Sequence, residues 1–95
     1  MEPASETLIM ANPLVVLREE FDDWAILFDP DTGSAFGINP IGVMVWKLLD
    51  GCHSLEKITD IIREAAEEVP EDVAEHIRDF VRATVEFGLA GPKAA

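Results

Sequence analysis

A chain of 95 residues, 48% of them apolar, has the length of one domain and enough hydrophobic side chains for one modest core. It carries 19 acidic against 7 basic residues, a formal net charge of −12, which disfavours binding to nucleic acid or to an anionic membrane surface. The single cysteine, Cys52, excludes an intramolecular disulfide framework.

The N-terminal sequence gives no sign of export. It lacks the basic start and the long apolar stretch of a signal peptide, and no apolar run in the chain approaches the roughly 20 residues that span a bilayer. Together with the lone cysteine, these features predict a soluble protein of the cytoplasm.

Residues 1–12 contain Pro3 and a polar, small-residue composition, and we expect a flexible N-terminal segment there. The apolar triplet Leu8–Met10 is the exception. A partly ordered tail is the preferred interpretation, and docking on the body of the protein or pairing with a neighbouring copy are the alternatives that the sequence leaves open.

Three short strands are predicted next. Residues 14–17 form a β-branched apolar run, Trp24, Ile26 and Phe28 alternate as on one face of a strand, and residues 34–38 resume the extended pattern. Between the last two, Asp29–Gly33 has the composition of a turn, with a proline to set φ and a glycine to accept a positive φ.

Three helices follow. Asn39 is the expected N-cap of the first, which runs from Pro40 to about Leu49 with apolar residues nearly all round and stops at Asp50-Gly51, where Gly51 would supply a left-handed cap. Ser54 is the expected cap of the second helix, whose apolar positions extend to Val69. The third has its apolar positions from Val73 to Val85 and ends at Gly88.

The predicted class is therefore α+β, with a three-stranded antiparallel sheet followed by three helices. This unit occupies residues 13–90, and residues 91–95 are expected to form a loose C-terminal tail.

Catalysis and metal binding find little support. Cys52 and His53 are neighbours in a predicted loop, where side chains rarely meet, and no acidic residue is obviously placed to orient the histidine. The chain has three Cys and His residues in all, fewer than the four ligands of a structural zinc site. We therefore expect no catalytic residue, no metal and no cofactor. The carboxylates around the junction of the second and third helices are most simply a solvated face.

The third predicted strand is the more informative feature. If the strands pair in chain order, residues 34–38 form a sheet edge without charge or proline, and such an edge is open to a strand from another chain. An ordinary edge, protected by Gly37 and a packed helix, is the alternative that the sequence leaves open.

The run Asn39-Pro-Ile-Gly42-Val-Met-Val-Trp46-Lys-Leu-Leu-Asp-Gly51, preceded by Phe-Asp-Pro-Asp-Thr-Gly and followed by a helix pair closing in Phe-Gly-Leu, resembles the PqqD family. The resemblance covers residues 15–89. It implies a winged-helix-like arrangement and a non-catalytic peptide chaperone, or RiPP recognition element. Such a module binds the leader of a ribosomally made precursor peptide as an added strand and presents it to a modifying enzyme, often a radical SAM enzyme.

Carried onto this chain, the resemblance implies two walls for the leader and four folding positions. The peptide-binding residues would be Ser34, Ala35, Phe36, Gly37 and Ile38 on the third strand, and Ile77, Arg78, Phe80, Val81, Arg82 and Thr84 on the third helix. The structural residues would be Asn39 as cap, Gly42 for close helix packing, Trp46 as core anchor and Gly51 as stop.

The expected partners are thus a precursor peptide and a modifying enzyme, with the module a monomer or a homodimer. The alternative is a protein-docking or regulatory subunit of a modification complex that does not itself bind the peptide.

Overall fold

The computed structural model describes residues 8–66 and 68–92, and within them it shows six strands and three helices. The strands are β1 (Leu8–Ala11), β2 (Val16–Glu19), β3 (Ala25–Asp29), β4 (Ser34–Ile38), β5 (Asp50–Ser54) and β6 (Ala90–Pro92). The helices are α1 (Pro40–Lys47), α2 (Leu55–Ala65) and α3 (Val73–Glu86). The predicted α+β class, with an antiparallel sheet and three helices, is confirmed.

The predicted sheet forms from β2, β3 and β4, which pair antiparallel in chain order. In the centre of the β3–β4 ladder, Leu27 lies opposite Phe36 and Ile26 lies opposite Gly37. β2 begins two residues later than the apolar run at 14–17 predicts, because Val15 is buried before the strand starts and its N–H donates to the carbonyl of Asn12.

The turn between β3 and β4 uses the residues that the sequence indicated. The Asp29 carboxylate accepts a hydrogen bond from the Asp31 N–H at 3.0 Å, and Gly33 has a φ of +78° and donates to the Asp29 carbonyl at 2.8 Å. This turn sets the register that places β4 at the sheet edge.

A second three-stranded sheet, in the order β5–β1–β6, was not predicted. β1 lies in its centre and pairs antiparallel with both neighbours, and Ile9 is completely buried. The expected flexibility of residues 1–12 is therefore wrong for residues 8–11, and the expected loose tail is wrong for residues 91 and 92. Residues 1–7 and 93–95 lie outside the described part of the chain.

The same sheet settles the question left open for Leu8–Met10. The segment docks on the body of its own chain, and both sides of β1 are already paired within the described residues. β5 also replaces the loop expected to hold Cys52 and His53.

The helices begin where the capping residues predict. The Asn39 side-chain oxygen accepts from the Gly42 N–H at 2.8 Å, and the Ser54 hydroxyl accepts from the Lys57 N–H at 3.2 Å. α2 ends at Ala65, short of the predicted Val69, since Ala66 is already extended. Carboxylates at the C-terminal end of a helix oppose its dipole, which favours this early stop.

One core joins the two sheets and the helices. Its most buried large side chains come from both sheets and from all three helices: Ile9, Leu27, Val45, Ile58, Ile62, Val73, Ile77 and Val81. α1 contacts α2, α3 and β4, and α3 also contacts β6. None of the helices in the described ranges has the length and apolar character needed to cross a membrane.

Candidate functional site

β4 is an edge strand along its full length. Within residues 8–66 and 68–92 it pairs with β3 on one side and has no strand on the other. Its sequence, SAFGI, carries no charge and no proline. The unpaired side of β4 therefore presents main-chain N–H and C=O groups that another extended segment can use.

A groove of about 260 Å³ lies between this edge and α3. Phe36, Gly37 and Ile38 form the β4 wall. The α3 side contributes Phe80, Ala83, Thr84 and Phe87, and the remaining lining residues are Leu27, Asn39 and Leu89. The lining is mostly apolar, which suits the side chains of a bound peptide more than a charged ligand.

Strand alternation explains the β4 wall. Leu27 on β3 is buried, and its cross-strand partner Phe36 shares its face, so Phe36 is directed to the helix side of the sheet. Ile38, two residues further on, is also buried. Ala35 and Gly37 belong to the opposite, exposed face.

The α3 wall follows from helical spacing and from the way the helix ends. Phe80, Thr84 and Phe87 are separated by four and three residues, which puts them on one side of the helix. The Thr84 hydroxyl donates to the Val81 carbonyl at 2.6 Å, so it adds no unsatisfied polar group to the groove. Gly88, with a φ of +73°, turns the chain after the helix.

The two walls touch at one end. The rings of Phe36 and Phe87 have centroids 5.1 Å apart and planes inclined by 42°, an ordinary tilted aromatic pair. Phe87 nevertheless keeps 59% of its surface exposed. This pair leaves a large apolar surface uncovered beside the unpaired strand.

The structure brings together some of the predicted peptide-binding residues and separates others. All five β4 residues lie on the edge strand, and Phe80 and Thr84 line the groove. Ile77 and Val81 are buried in the core, with 1% and 0% of their surfaces exposed. Arg78 lines a different hollow, between α2 and α3, and Arg82 lies 3.9 Å from Asp79 on its own helix.

Ala83 and Phe87 line the groove but were not among the predicted site residues. The helical spacing could have revealed them, because residues 83, 84 and 87 follow Phe80 at intervals of three, four and seven and lie on the same side of the helix. Phe87 directly follows the last residue of α3, and a pattern search that stops at the helix end does not include it.

Three of the four predicted folding positions have the expected local geometry, whereas the expected helix stop at Gly51 is wrong. Asn39 caps α1, and Trp46 is buried in the core. A Cβ added to Gly42 would lie 3.3 Å from the Ile38 Cβ and 3.4 Å from the Phe80 ring, so glycine permits close packing there. Gly51 has a φ of +79° but lies in β5, and the C-cap of α1 is Leu48.

Cys52 and His53 do not form a nucleophile–base pair of the usual kind. Contrary to expectation, an acidic residue does hold His53: its Nδ1 lies 2.9 Å from Asp50 Oδ1, and this hydrogen bond lowers the pKa of the Asp50 carboxyl. The Cys52 N–H donates to the same Asp50 oxygen at 2.9 Å, and within the described residues no hydrogen bond joins the Cys52 thiol to His53. Among the described residues no cluster of three or more His, Cys, Asp or Glu is suited to hold a metal.

Comparison with known proteins decides the family. The model of the family described as coenzyme PQQ synthesis protein D (PqqD) matches residues 25–90, which is more than half of the chain. The chain belongs to the PqqD family. A comparison with curated protein sequences finds no match.

Solved structures with this PqqD fold include two small proteins in peptide complexes. TbiB1, in complex with the TbiA(beta) leader peptide, is 29% identical, with a TM-score of 0.70 over 90% of this chain and 99% of TbiB1. A lasso peptide synthetase B1, complexed with the leader peptide, has the same TM-score and coverage at 20% identity. A heterocyclase in complex with substrate and cofactor matches 93% of this chain with 11% of its own, at 19% identity and a TM-score of 0.64.

Proposed function

We propose that this protein is a non-catalytic recognition module that binds the leader of a ribosomally made precursor peptide as an added strand on β4. The observation that carries the proposal is the uncharged, unpaired edge of β4 directly beside the apolar groove under α3. Main-chain hydrogen bonds along β4 supply affinity, and alternate guest side chains enter the groove and supply specificity.

Two comparisons support this reading. The PqqD family match covers the three helices and the β3–β4 hairpin, the elements that build the groove. TbiB1, which is 29% identical over 90% of the chain, binds a leader peptide.

The site in this proposal consists of Ser34–Ile38 with Phe80, Ala83, Thr84 and Phe87. Ile77 and Val81 support it from the core, and Arg78 is left out because it lines the hollow between α2 and α3. The domain that folds around it extends beyond the expected residues 13–90 to include β1 and β6.

A bound leader would be presented to a modifying enzyme, and a radical SAM enzyme in the cytoplasm remains our proposed partner. The exposed free thiol of Cys52 is compatible with a reducing compartment. Holding the leader near such an enzyme raises the effective concentration of the modifiable segment at the active site. The module itself needs no catalytic group for this role.

The first experiment asks whether the protein binds peptides at all. A display library of random 15-residue peptides is selected on the purified protein, and the retained sequences are synthesised and measured by fluorescence anisotropy. We expect peptides with an alternating apolar pattern. Failure to retain any peptide, with the protein folded, would favour a docking subunit that does not itself bind the leader.

The second experiment maps the retained peptides onto β4 by proline substitution. Along an edge strand, alternate N–H groups point toward the neighbouring strand and toward open solvent. One of Ala35→Pro and Phe36→Pro should therefore abolish peptide binding with little loss of fold, and the other should destabilise the sheet.

Each proline variant is the control for the other, and Phe36→Ala controls for loss of the aromatic ring. Circular dichroism melting reports the fold, and anisotropy reports binding. If both proline variants stay folded and bind the selected peptides normally, β4 is not the docking edge.

A further inference from the structure

The outer face of the β2–β3–β4 sheet, on the side away from α3, carries a second hollow. It has a volume of about 470 Å³, and its lining residues are Glu20, Phe21, Asp22, Trp24, Ala25, Ile26 and Gly37. Phe21 and Trp24 keep 81% and 51% of their surfaces exposed. Large exposed apolar surface of this kind marks interaction sites in folded proteins.

The two aromatic residues are held by the hairpin turn between β2 and β3. Asp22 and Asp23 both have positive φ values, 58° and 63°, and the Trp24 N–H donates to the Phe21 carbonyl at 3.2 Å. Two central residues with positive φ define a type I′ turn, the tight turn that matches the twist of a hairpin. The backbone of Phe21 and Trp24 is therefore fixed at the edge of this hollow.

Gly37 connects the hollow to the β4 edge. It lines both the groove under α3 and the outer hollow, and it lies opposite Ile26 in the β3–β4 register. A Cβ built on Gly37 would meet nothing within 4 Å. A guest side chain paired with Gly37 can therefore cross over it and lie on Ile26, as large side chains do opposite strand glycines.

The charges around the hollow indicate which side chain fits. Glu20 and Asp22 belong to its lining, and neither Asp22 nor Asp23 has an ion pair among the described residues. Among the described residues, one ion pair reaches this lining: Arg18, which lies opposite Ile26 on β2, is 3.8 Å from Glu20, and both groups are exposed. Asp22 is therefore the lining carboxylate left for a guest cation. The hollow thus offers the apolar surface of Ile26, the exposed indole ring of Trp24 and a negative charge. A cation on an apolar stem fits this combination, because the stem covers Ile26, the cation stacks on Trp24 and the carboxylate attracts it.

We propose that the peptide strand bound at β4 carries an arginine opposite Gly37, whose side chain crosses the glycine and stacks on Trp24. This inference rests on the proposed function, since it requires a guest strand on β4. It means that the guest is recognised on both faces: apolar residues enter the groove under α3, and the arginine lies on the outer face. Arginine fits better than lysine, since its flat guanidinium stacks on an indole ring.

The probes are the peptides retained from the random library. We expect them to share an arginine at a fixed spacing from the apolar groove residues. Replacing that arginine with alanine should weaken binding roughly three- to tenfold, the range of a partly exposed cation–π contact. Glutamate at the same position should weaken binding further.

Two protein variants locate the contact. Trp24→Ala removes the stacking partner, and Gly37→Val fills the space over which the arginine passes. Each variant should bind the arginine peptide no more tightly than it binds the same peptide with alanine in place of the arginine. Val16→Ala, on the same sheet face but on β2 at the far edge, is the matched control and should preserve the difference between the two peptides.

The outcomes separate this inference from the proposed function. If the selected peptides lose binding with the β4 proline variant and yet show no preference for arginine, the proposed strand addition on β4 stands and the arginine inference is overturned. Persistence of the arginine preference in Trp24→Ala would overturn it as well. So would sedimentation of the wild-type protein as a dimer that Trp24→Ala dissociates, because a second copy would then occupy the hollow.

Discussion

At the scale of single residues, Phe87 carries more of the proposed site than its position suggests. It directly follows α3, is largely exposed, and rests on Phe36 across the groove. An exposed aromatic ring gains little by staying uncovered, whereas a guest side chain inserted beside it removes apolar surface from water. Its energetic contribution should therefore appear mainly in binding.

We expect Phe87→Ala to weaken binding of the selected peptides about five- to tenfold. The free energy of unfolding should fall by less than about 1 kcal/mol, because only an exposed ring contact is lost. Anisotropy titration and urea unfolding measure the two quantities. Leu14→Ala, which shortens another exposed apolar side chain outside the groove, should change neither. If Phe87→Ala and Leu14→Ala weaken peptide binding equally, Phe87 is not part of the binding site.

Residues whose roles depend on their immediate neighbours in the chain were predictable. Asn39, Ser54 and Gly33 each act within four residues, as caps or in a turn, and the structure confirms all three. Arg78 and Phe87 depend on which side of α3 faces β4. That orientation is fixed by packing of the whole helix on the core. The residues carried over from the family resemblance therefore included Arg78, which lies away from the groove, and did not include Phe87.

At the scale of elements, strands whose pairing is distant in sequence were the ones missed. β1 pairs with β5 at separations of 40 to 46 residues and with β6 at separations of 79 to 83 residues. β5 has the sequence DGCHS and β6 has AGP, and neither has the β-branched or aromatic residues that mark a strand. Only the tertiary pairing with β1 makes them extended, so no local pattern could reveal the second sheet.

The central position of β1 leads to a direct test with adjacent residues. Ile9 is completely buried and Met10 keeps 46% of its surface exposed. Ile9→Ala should lower the free energy of unfolding by about 2–4 kcal/mol, because it removes buried methyl groups and leaves a cavity. Met10→Ala, the matched control, should lower it by less than about 1 kcal/mol.

Urea unfolding of the two variants gives this comparison directly. If both variants lower the free energy of unfolding by the same small amount, β1 is not formed in solution and the N-terminal segment is mobile up to residue 12. The test also bears on the site. α3 contacts β6, which β1 pairs with, so loss of β1 should loosen the helix that forms one wall of the groove.

At the scale of the whole molecule, charge is the dominant long-range term. The chain has 12 more acidic than basic residues, and carboxylates accumulate where α2 ends and α3 begins. Glu64, Glu68, Glu71 and Glu75 are all exposed there. Like charges at such density repel each other in the folded state more than in the expanded unfolded chain, so they lower stability.

Added salt should therefore stabilise this protein. At about 0.15 M ionic strength the screening length is about 8 Å, against about 30 Å at 0.01 M, so added salt weakens the repulsion between exposed carboxylates. Salt also weakens the surface ion pairs, such as Lys47–Glu19 at 3.0 Å, but exposed pairs contribute at most about 1 kcal/mol each. With so large an excess of negative charge, relief of repulsion outweighs that loss.

We expect Tm, measured by circular dichroism, to rise by about 4–8 °C between 20 mM and 300 mM NaCl, which corresponds to about 1 kcal/mol for a domain of this size. The triple variant Glu64→Gln, Glu68→Gln, Glu71→Gln should melt higher at 20 mM NaCl and gain less from added salt. Glu64 contributes twice, because it lies in the last turn of α2, where its charge also opposes the helix dipole. A Tm that falls with NaCl would mean that the ion pairs outweigh the net charge.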